Sequence, residues 1–278
     1  MTTIPQRLAG AAKPAVRRAW RAALTARAVD VTTRSAQRSA LVLAPHPDDE
    51  TIGCGATIAR KRAAGSDVHV VVAADGRSSH RASRVISSDE LVAIRRAEAV
   101  EACAILGVPE DRIRFLGHPD DSLRDRVDAL ADQLAAIVRE VQPDEVLVTC
   151  EHDWHVDHQG LNLALRRALR RGGVEVAAAA YPVWWWADGP WTDSPPGSGL
   201  PARARRFVAA PLSALRGPRP QRVTTGRFLE VKRAALAAYR SQTSNLTGEP
   251  DWAVMSPQLL QQFLGSSEIS FPISEGVR

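Results

Sequence analysis

Residues 41–55 read LVLAPHPDDETIGCG: four apolar residues, two prolines flanking His46, three consecutive acids from Asp48 to Glu50, then small residues around Gly53 and Gly55. A short apolar run stopped by proline is a strand end, and the stretch that follows has the makings of a helix whose glycines let another element approach closely. In open α/β sheets ligands bind beyond the carboxyl ends of the strands. His46-Pro47-Asp48-Asp49 is therefore where chemistry is expected.

Outward from this stretch, short β-branched runs alternate with segments of helical period. Strands are predicted at Leu41 to Ala44, Val68 to Ala74, Ile113 to Leu116, Glu145 to Thr149 and Val174 to Val183. Helices are predicted from about Gly53, around Glu90 to Leu106, over Arg126 to Val141 and over Gln159 to Arg170, with another in GRFLEVKRAALAAYRSQ, residues 226–242. Such alternation implies an α/β fold, Rossmann-like, with a mostly parallel sheet and helices on both faces. Residues 187–221 hold eleven Pro or Gly, the composition of a long loop or lid. The expected organisation is a basic arm over residues 1–38 followed by one domain over 39–278.

Composition narrows the function. The 278 residues are 45% apolar and 24% charged, enough for a sizeable core. The net charge of +5 is concentrated in residues 1–38, where eight Lys or Arg face the single acid Asp30, leaving the body slightly acidic at −2. A nucleic-acid enzyme would carry its positive charge around the site, so no nucleic-acid partner is expected. The arm, with Val16, Trp20, Ala23 and Leu24 at helical spacing among arginines, suits an anionic membrane surface or docking on its own domain. No run is long enough to span a bilayer. Three cysteines without paired spacing and no evident leader favour a cytoplasmic protein.

HPDD recurs at His118-Pro119-Asp120-Asp121, and both copies follow a predicted strand and precede a predicted helix. The first continues into Glu50 and the glycines. His46 and Asp49, three apart at a strand end, can turn onto one ion and leave Asp48 facing a water. Catalytic zinc takes three protein ligands and keeps a position open. The third must come from elsewhere, and EHDWHVDHQG at 151–160 offers His152, Asp153, His155, Asp157 and His158 at the end of another predicted strand. Nitrogen and oxygen ligands with spare acid–base groups are what metal-assisted hydrolysis needs.

PHPDDETIGCG followed by DWHVDH resembles the LmbE/PIG-L family of zinc-dependent N-deacetylases. IRRAEAVEACAILGV and VKRAALAAYRSQ echo two further family segments, so the resemblance runs from about residue 40 to 245. It implies one zinc ion held by His46, Asp49 and His158, with Asp48 the base acting on a water at the zinc. His155 would stabilise the oxyanion or protonate the leaving amine, and Asp157 would orient a histidine. The implied substrate is an N-acetylglucosamine-type sugar in a larger small molecule or a lipid-linked sugar. FLGHPDDSL resembles a family segment that lines the pocket, which makes Asp120 a sugar contact and His118 incidental. Asp75, Arg95 and Trp184 are further candidate substrate contacts.

Departures and alternatives stay open. Cys54 stands where the family has Gly and Val156 where it has Pro, and Cys54, Cys150 and His152 are alternative ligands. Asp153 and Asp157 would also serve as helix caps, Arg95 and Glu98 as a solvated helix pair, and the tryptophans of YPVWWWADGPW as core or as a stacking surface. An amidase acting on a bulkier acyl or thiol conjugate, and a non-catalytic binding protein using the arm, are the competing functions. A dinucleotide fold fails because Ile58 replaces the last glycine of the fingerprint.

Overall fold

The computed structural model describes residues 4–172, 175–188, 212 and 215–273, with side chains described from residue 15 onward except at position 188. An eight-stranded sheet runs in the order β1 (Val29–Asp30), β7 (Gln221–Thr224), β8 (Ser267–Pro272), β6 (Ala177–Tyr181), β5 (Glu145–Thr149), β2 (Ala40–Ala44), β3 (Val68–Ala74), β4 (Ile113–His118). Strands β4, β3, β2, β5 and β6 are parallel, while β8 runs antiparallel to both β6 and β7. The chain winds from β2 outward to β4 and then returns to β5 on the other side of β2. The switch point between β2 and β5 is where such a sheet opens a crevice at its carboxyl edge.

Alternation along the strands supplies two cores. Val42, Val70, Val72 and Leu147 pack on one face with α3 (Asp49–Ala63), α4 (Ser88–Ile105) and α8 (Phe228–Ala238). Leu41, Leu43, Val71, Val146 and Val148 pack on the other with α5 (Val127–Val141) and α6 (Val156–Gly172). Burial on both faces explains why these strands read as continuous apolar runs.

The expected α/β fold is present, with differences at its margins. Helix α3 begins at Asp49, not near Gly53, because Asp48 caps it with a left-handed φ of 125° and Asp49 and Glu50 sit favourably in its first turn. Gly53 packs against the buried Tyr181 ring, where an added Cβ would lie 2.1 Å from Cδ2. The edge strands β1, β7 and β8 had no counterpart in the sequence reading. The expected loop at 187–221 falls largely outside the described residues.

The basic N-terminus is helix α1 (Ile4–Arg27), and it docks on the body. Trp20 and Leu24 are buried in a cluster with Trp185, so half of the apolar face considered for a membrane surface is occupied by the protein itself. Beyond it, β1 pairs with β7, and α2 (Thr32–Ala36) lends a carbonyl to the buried Lys61, whose Nζ also meets Arg38 O at 2.9 Å and Glu145 at 2.6 Å. The boundary expected at residue 38 thus lies inside packed structure. Among the described residues no helix is long and apolar enough to cross a membrane.

Candidate metal centre and active site

The turn after β2 is held from three sides. Asp48 donates its backbone N–H to Glu50 at 3.2 Å, and its carbonyl accepts from Thr51 and Ile52 at 3.0 and 2.8 Å. The buried Arg95 of α4 donates to Pro47 O and, at 2.9 Å, to the Asp48 carboxylate. Glu50 is completely buried and accepts from Tyr239 Oη and Thr51 Oγ1. A non-glycine residue at such a φ is strained, and it persists because these contacts over-determine the turn.

Asp49 Oδ2 lies 3.3 Å from His46 Nδ1 and 3.3 Å from His158 Nε2. Those two separations equal the roughly 3.3 Å between donors held at about 2.0–2.1 Å on a tetrahedral zinc ion. His158 is fully buried, its Nδ1 donates to Asp153 at 2.8 Å, and its Nε2 has no hydrogen-bond partner. An orphaned buried imidazole nitrogen beside a carboxylate oxygen is what a metal ligand looks like without its ion. The donor set fits zinc.

His155 offers a second combination. His46, His155 and His158 bring ligand atoms within 4.8 Å of one another, as do Asp121, His155 and Asp157. Asp49 belongs to neither group, although its Oδ2 lies 3.3 Å from one nitrogen each of His46 and His158; His155 Nδ1 accepts the Asp157 N–H at 3.2 Å, and its Nε2 stands 3.8 Å from Asp121 Oδ1.

Electrostatics separate the roles. Burial opposes charge on His46, yet hydrogen bonds to Asp157 and Asp49 push it up to about 10. His158 is likewise pushed up to about 9, burial being outweighed by Asp49 and Asp153. Asp49, despite burial, is held far below the usual carboxylate range by the two imidazoles. For Asp157, burial is outweighed by hydrogen bonds from His46 and from the Leu123 and Asp121 backbone, and its carboxyl sits low. His155 is pushed down to about 4 by burial and by repulsion from the other two histidines. It is neutral at pH 7, and since Nδ1 accepts, Nε2 carries the proton. Asp48 rises to about 7, chiefly through burial, with Arg95 pulling the other way.

His46, Asp48, Asp49, Asp120, His155 and Trp184 face one cleft of about 350 Å³. Asp157 carries its Oδ2 3.0 Å from His46 Nε2. Arg95 lines the same cleft and directs its guanidinium to the Asp48 turn. It is not a solvated partner of Glu98, which is itself buried and accepts both the N–H and the hydroxyl of Ser241, at 2.8 and 2.6 Å. Asp75 does not line the cleft: it closes a turn on Arg77, with the Arg77 Nε at 2.7 Å and N–H at 3.2 Å. Asp120 lines the cleft while accepting the N–H groups of Gly76 and Ser78, each at 2.8 Å. His118 is elsewhere, 3.0 Å from Gln133. Cys54 and Cys150 are buried thiols pushed up by desolvation, and neither belongs to a cluster of ligating atoms among the described residues.

Sequence reading undervalued Asp153. Its position after β5 suggested a cap, but its carboxylate is completely buried and bridges His158 to the backbone N–H groups of Val183 and Trp185. The Asp five residues ahead of a candidate His was the available signal.

Residues 41–169 match the family model described as PIG-L: GlcNAc-PI de-N-acetylase. The chain is similar to a Bacillus cereus protein named probable N-acetyl-alpha-D-glucosaminyl L-malate deacetylase 2, at 33% identity over 139 residues, which cover 49% of this chain and 62% of that one. It is also similar to a Salinispora arenicola protein named 1D-myo-inositol 2-acetamido-2-deoxy-alpha-D-glucopyranoside deacetylase, 33% identical over 181 residues, with 56% of this chain and 58% of the relative covered. The chain spans less than two thirds of the length of either relative. Among solved structures, the N,N'-diacetylchitobiose deacetylase of Pyrococcus horikoshii shares the fold, with a TM-score of 0.60 at 22% identity over 84% of this chain and 83% of that one.

Proposed function

We propose that the chain, whose residues 41–169 match the PIG-L family model, is a zinc-dependent hydrolase. Its substrate is the acetamide of an N-acetylglucosamine-type sugar carried in a larger glycoside. The observation that carries this reading is the Asp49 carboxylate set 3.3 Å from both His46 and the orphaned Nε2 of His158, on the floor of a cleft. His46, Asp49 and His158 would hold the ion, which when bound supplies Lewis acidity to the amide carbonyl and to water.

The chain's own groups account for the remaining steps. Asp48, anchored by Arg95 and pushed up to about 7, is matched to take a proton from the attacking water near neutrality. The neutral His155 lines the cleft and would donate from Nε2–H to the carbonyl oxygen as it gains charge. As the C–N bond breaks, the proton held by Asp48 passes to the departing amine. Asp157 keeps the His46 ring in place. Trp184 offers an apolar face to the sugar or its aglycone.

The names of the two relatives, a malate and an inositol glycoside deacetylase, support a small water-soluble glycoside over a lipid-linked one. Docking of Trp20 and Leu24 on the body points the same way. The test is zinc per chain in the wild type, His46→Ala and His118→Ala, together with acetate release from a panel of N-acetylglucosaminyl glycosides. Near one equivalent of zinc, lost with His46 and retained with His118, and acetate release abolished in Asp48→Ala, support the reading. A folded wild type that takes up no zinc and releases no acetate sinks it.

A further inference from the structure

The N-terminal helix reaches the candidate metal centre through a continuous set of contacts. Trp20 packs edge-on against Trp185, with ring centroids 4.6 Å apart at 80°, and lies 6.4 Å from Trp186. One residue on, Arg21 covers the Trp186 ring at 5.7 Å and donates to Gln262 Oε1 at 2.9 Å. The Trp186 indole in turn donates to Gln262 O at 3.2 Å. The short helix α7 (Trp184–Asp188) is thus gripped by α1 on two of its rings.

What α7 does with that position is specific. The Trp185 N–H donates to Asp153 Oδ1 at 2.7 Å, and the Val183 N–H reaches the same carboxylate at 3.2 Å. Asp153 Oδ2 accepts from His158 Nδ1 at 2.8 Å, which fixes the ring and turns Nε2 toward Asp49. Asp153 and His158 are both fully buried, and no contact between α1 and either of them is needed for the coupling. A buried carboxylate pinned by backbone donors moves with the backbone that pins it, and the orientation of a metal-ligating imidazole follows its outer partner.

We propose that α1 is a positioning element of the metal centre, acting from Trp20 through Trp185 and Asp153 on His158. The inference rests on the reading that His158 is a zinc ligand. It gives the basic arm a role inside the enzyme, and Trp20 a function that its distance from the chemistry would not suggest.

The test measures zinc affinity of the full chain by competition with a chromophoric chelator. It compares wild type, Trp20→Ala, Trp20→Phe and Asp153→Ala with Leu106→Ala, which opens a cavity at the end of α4 remote from the site. Loss of an outer partner typically weakens metal binding about 10- to 100-fold. Asp153→Ala is expected in that range, Trp20→Ala near its lower end at about tenfold, and Trp20→Phe close to wild type. Leu106→Ala melts earlier but binds zinc as wild type does. The inference is overturned if Trp20→Ala binds zinc as tightly as wild type, or loses no more than Leu106→Ala. Should Trp20→Ala not fold, Trp20→Leu takes its place with the same two outcomes. A wild type that binds no zinc overturns the zinc-site reading itself, whereas zinc binding that depends on Asp153 but not on Trp20 overturns the arm's role alone.

Discussion

Arg95 and Asp48 form a buried pair, 2.9 Å apart, that joins the middle of α4 to the turn carrying the candidate site. Because Arg95 also donates to Pro47 O, one guanidinium fixes both the carboxylate of Asp48 and its strained backbone. Removing a partner from a buried pair leaves an uncompensated charge at a cost of about 3–5 kcal/mol. Protonation of Asp48, already pushed up to about 7, relieves part of it.

Arg95→Met is therefore expected to lower stability by about 3 kcal/mol, the lower end of that range, read from the midpoint of chemical denaturation. Acetate release should fall by at least about 100-fold, the contribution of a positioned base. Arg95→Lys keeps the charge but not the fork that reaches carboxylate and carbonyl together, so it should recover stability more than turnover. Equal turnover in wild type and Arg95→Met would show that Asp48 is not held for chemistry.

A second expectation concerns the metal and stability. A ligand that binds only the folded chain stabilises it by about 2.7 kcal/mol at a hundredfold excess over Kd. Zinc added to chelator-treated protein should raise the melting temperature accordingly. His158→Ala, which deletes the orphaned nitrogen, should abolish the shift, whereas His118→Ala, whose ring contacts Gln133, should keep it. A shift that follows His118 would move the metal to the second HPDD.

The difference between the two HPDD copies shows where sequence was informative. Strands β2, β3 and β5 could be read because burial on both faces makes them unbroken apolar runs, and the first HPDD follows such a strand. The edge strands could not: β1 has two residues, and β8 pairs with β6 and β7 from a position late in the chain. Arg95 and Glu98, one helical turn apart, looked like a solvated pair. Only the packing of α4 against α8 and α9 (Arg240–Thr243) buries them, and then each turns to a different partner. Asp153 looked like a cap because its bridge to His158 and Trp185 depends on where residues 183–185 return.

Gly53 tests the packing behind the site. A Cβ there would stand 2.1 Å from Tyr181 Cδ2, and the ring has little freedom to yield, being buried with its hydroxyl donating to Leu43 O at 2.8 Å. Overpacking of this kind costs about 1–3 kcal/mol. Gly53→Ala should sit at the upper end, measured by denaturation, and combining it with Tyr181→Ala should cost less than the sum of the two single changes. Strict additivity would mean that the helix shifts to admit the methyl.

The last expectation separates the arm from the body. If residues 1–38 were a detachable appendage, deleting them would leave a folded domain with its turnover intact. The contacts argue otherwise: the deletion removes strand β1, the buried Ser35 and the carbonyls of Ser35 and Arg38, leaving the buried Lys61 ammonium with Glu145. Each hydrogen bond to a charged group contributes about 1.5–3 kcal/mol, so losing both carbonyls removes a large share of the stability of an ordinary domain. The truncated chain should be insoluble or melt far below the full chain. Replacing a buried ion pair with apolar groups is often neutral. The truncation combined with Lys61→Met and Glu145→Met should therefore recover part of the loss, and a truncated chain as stable as the full one would show that these contacts contribute nothing.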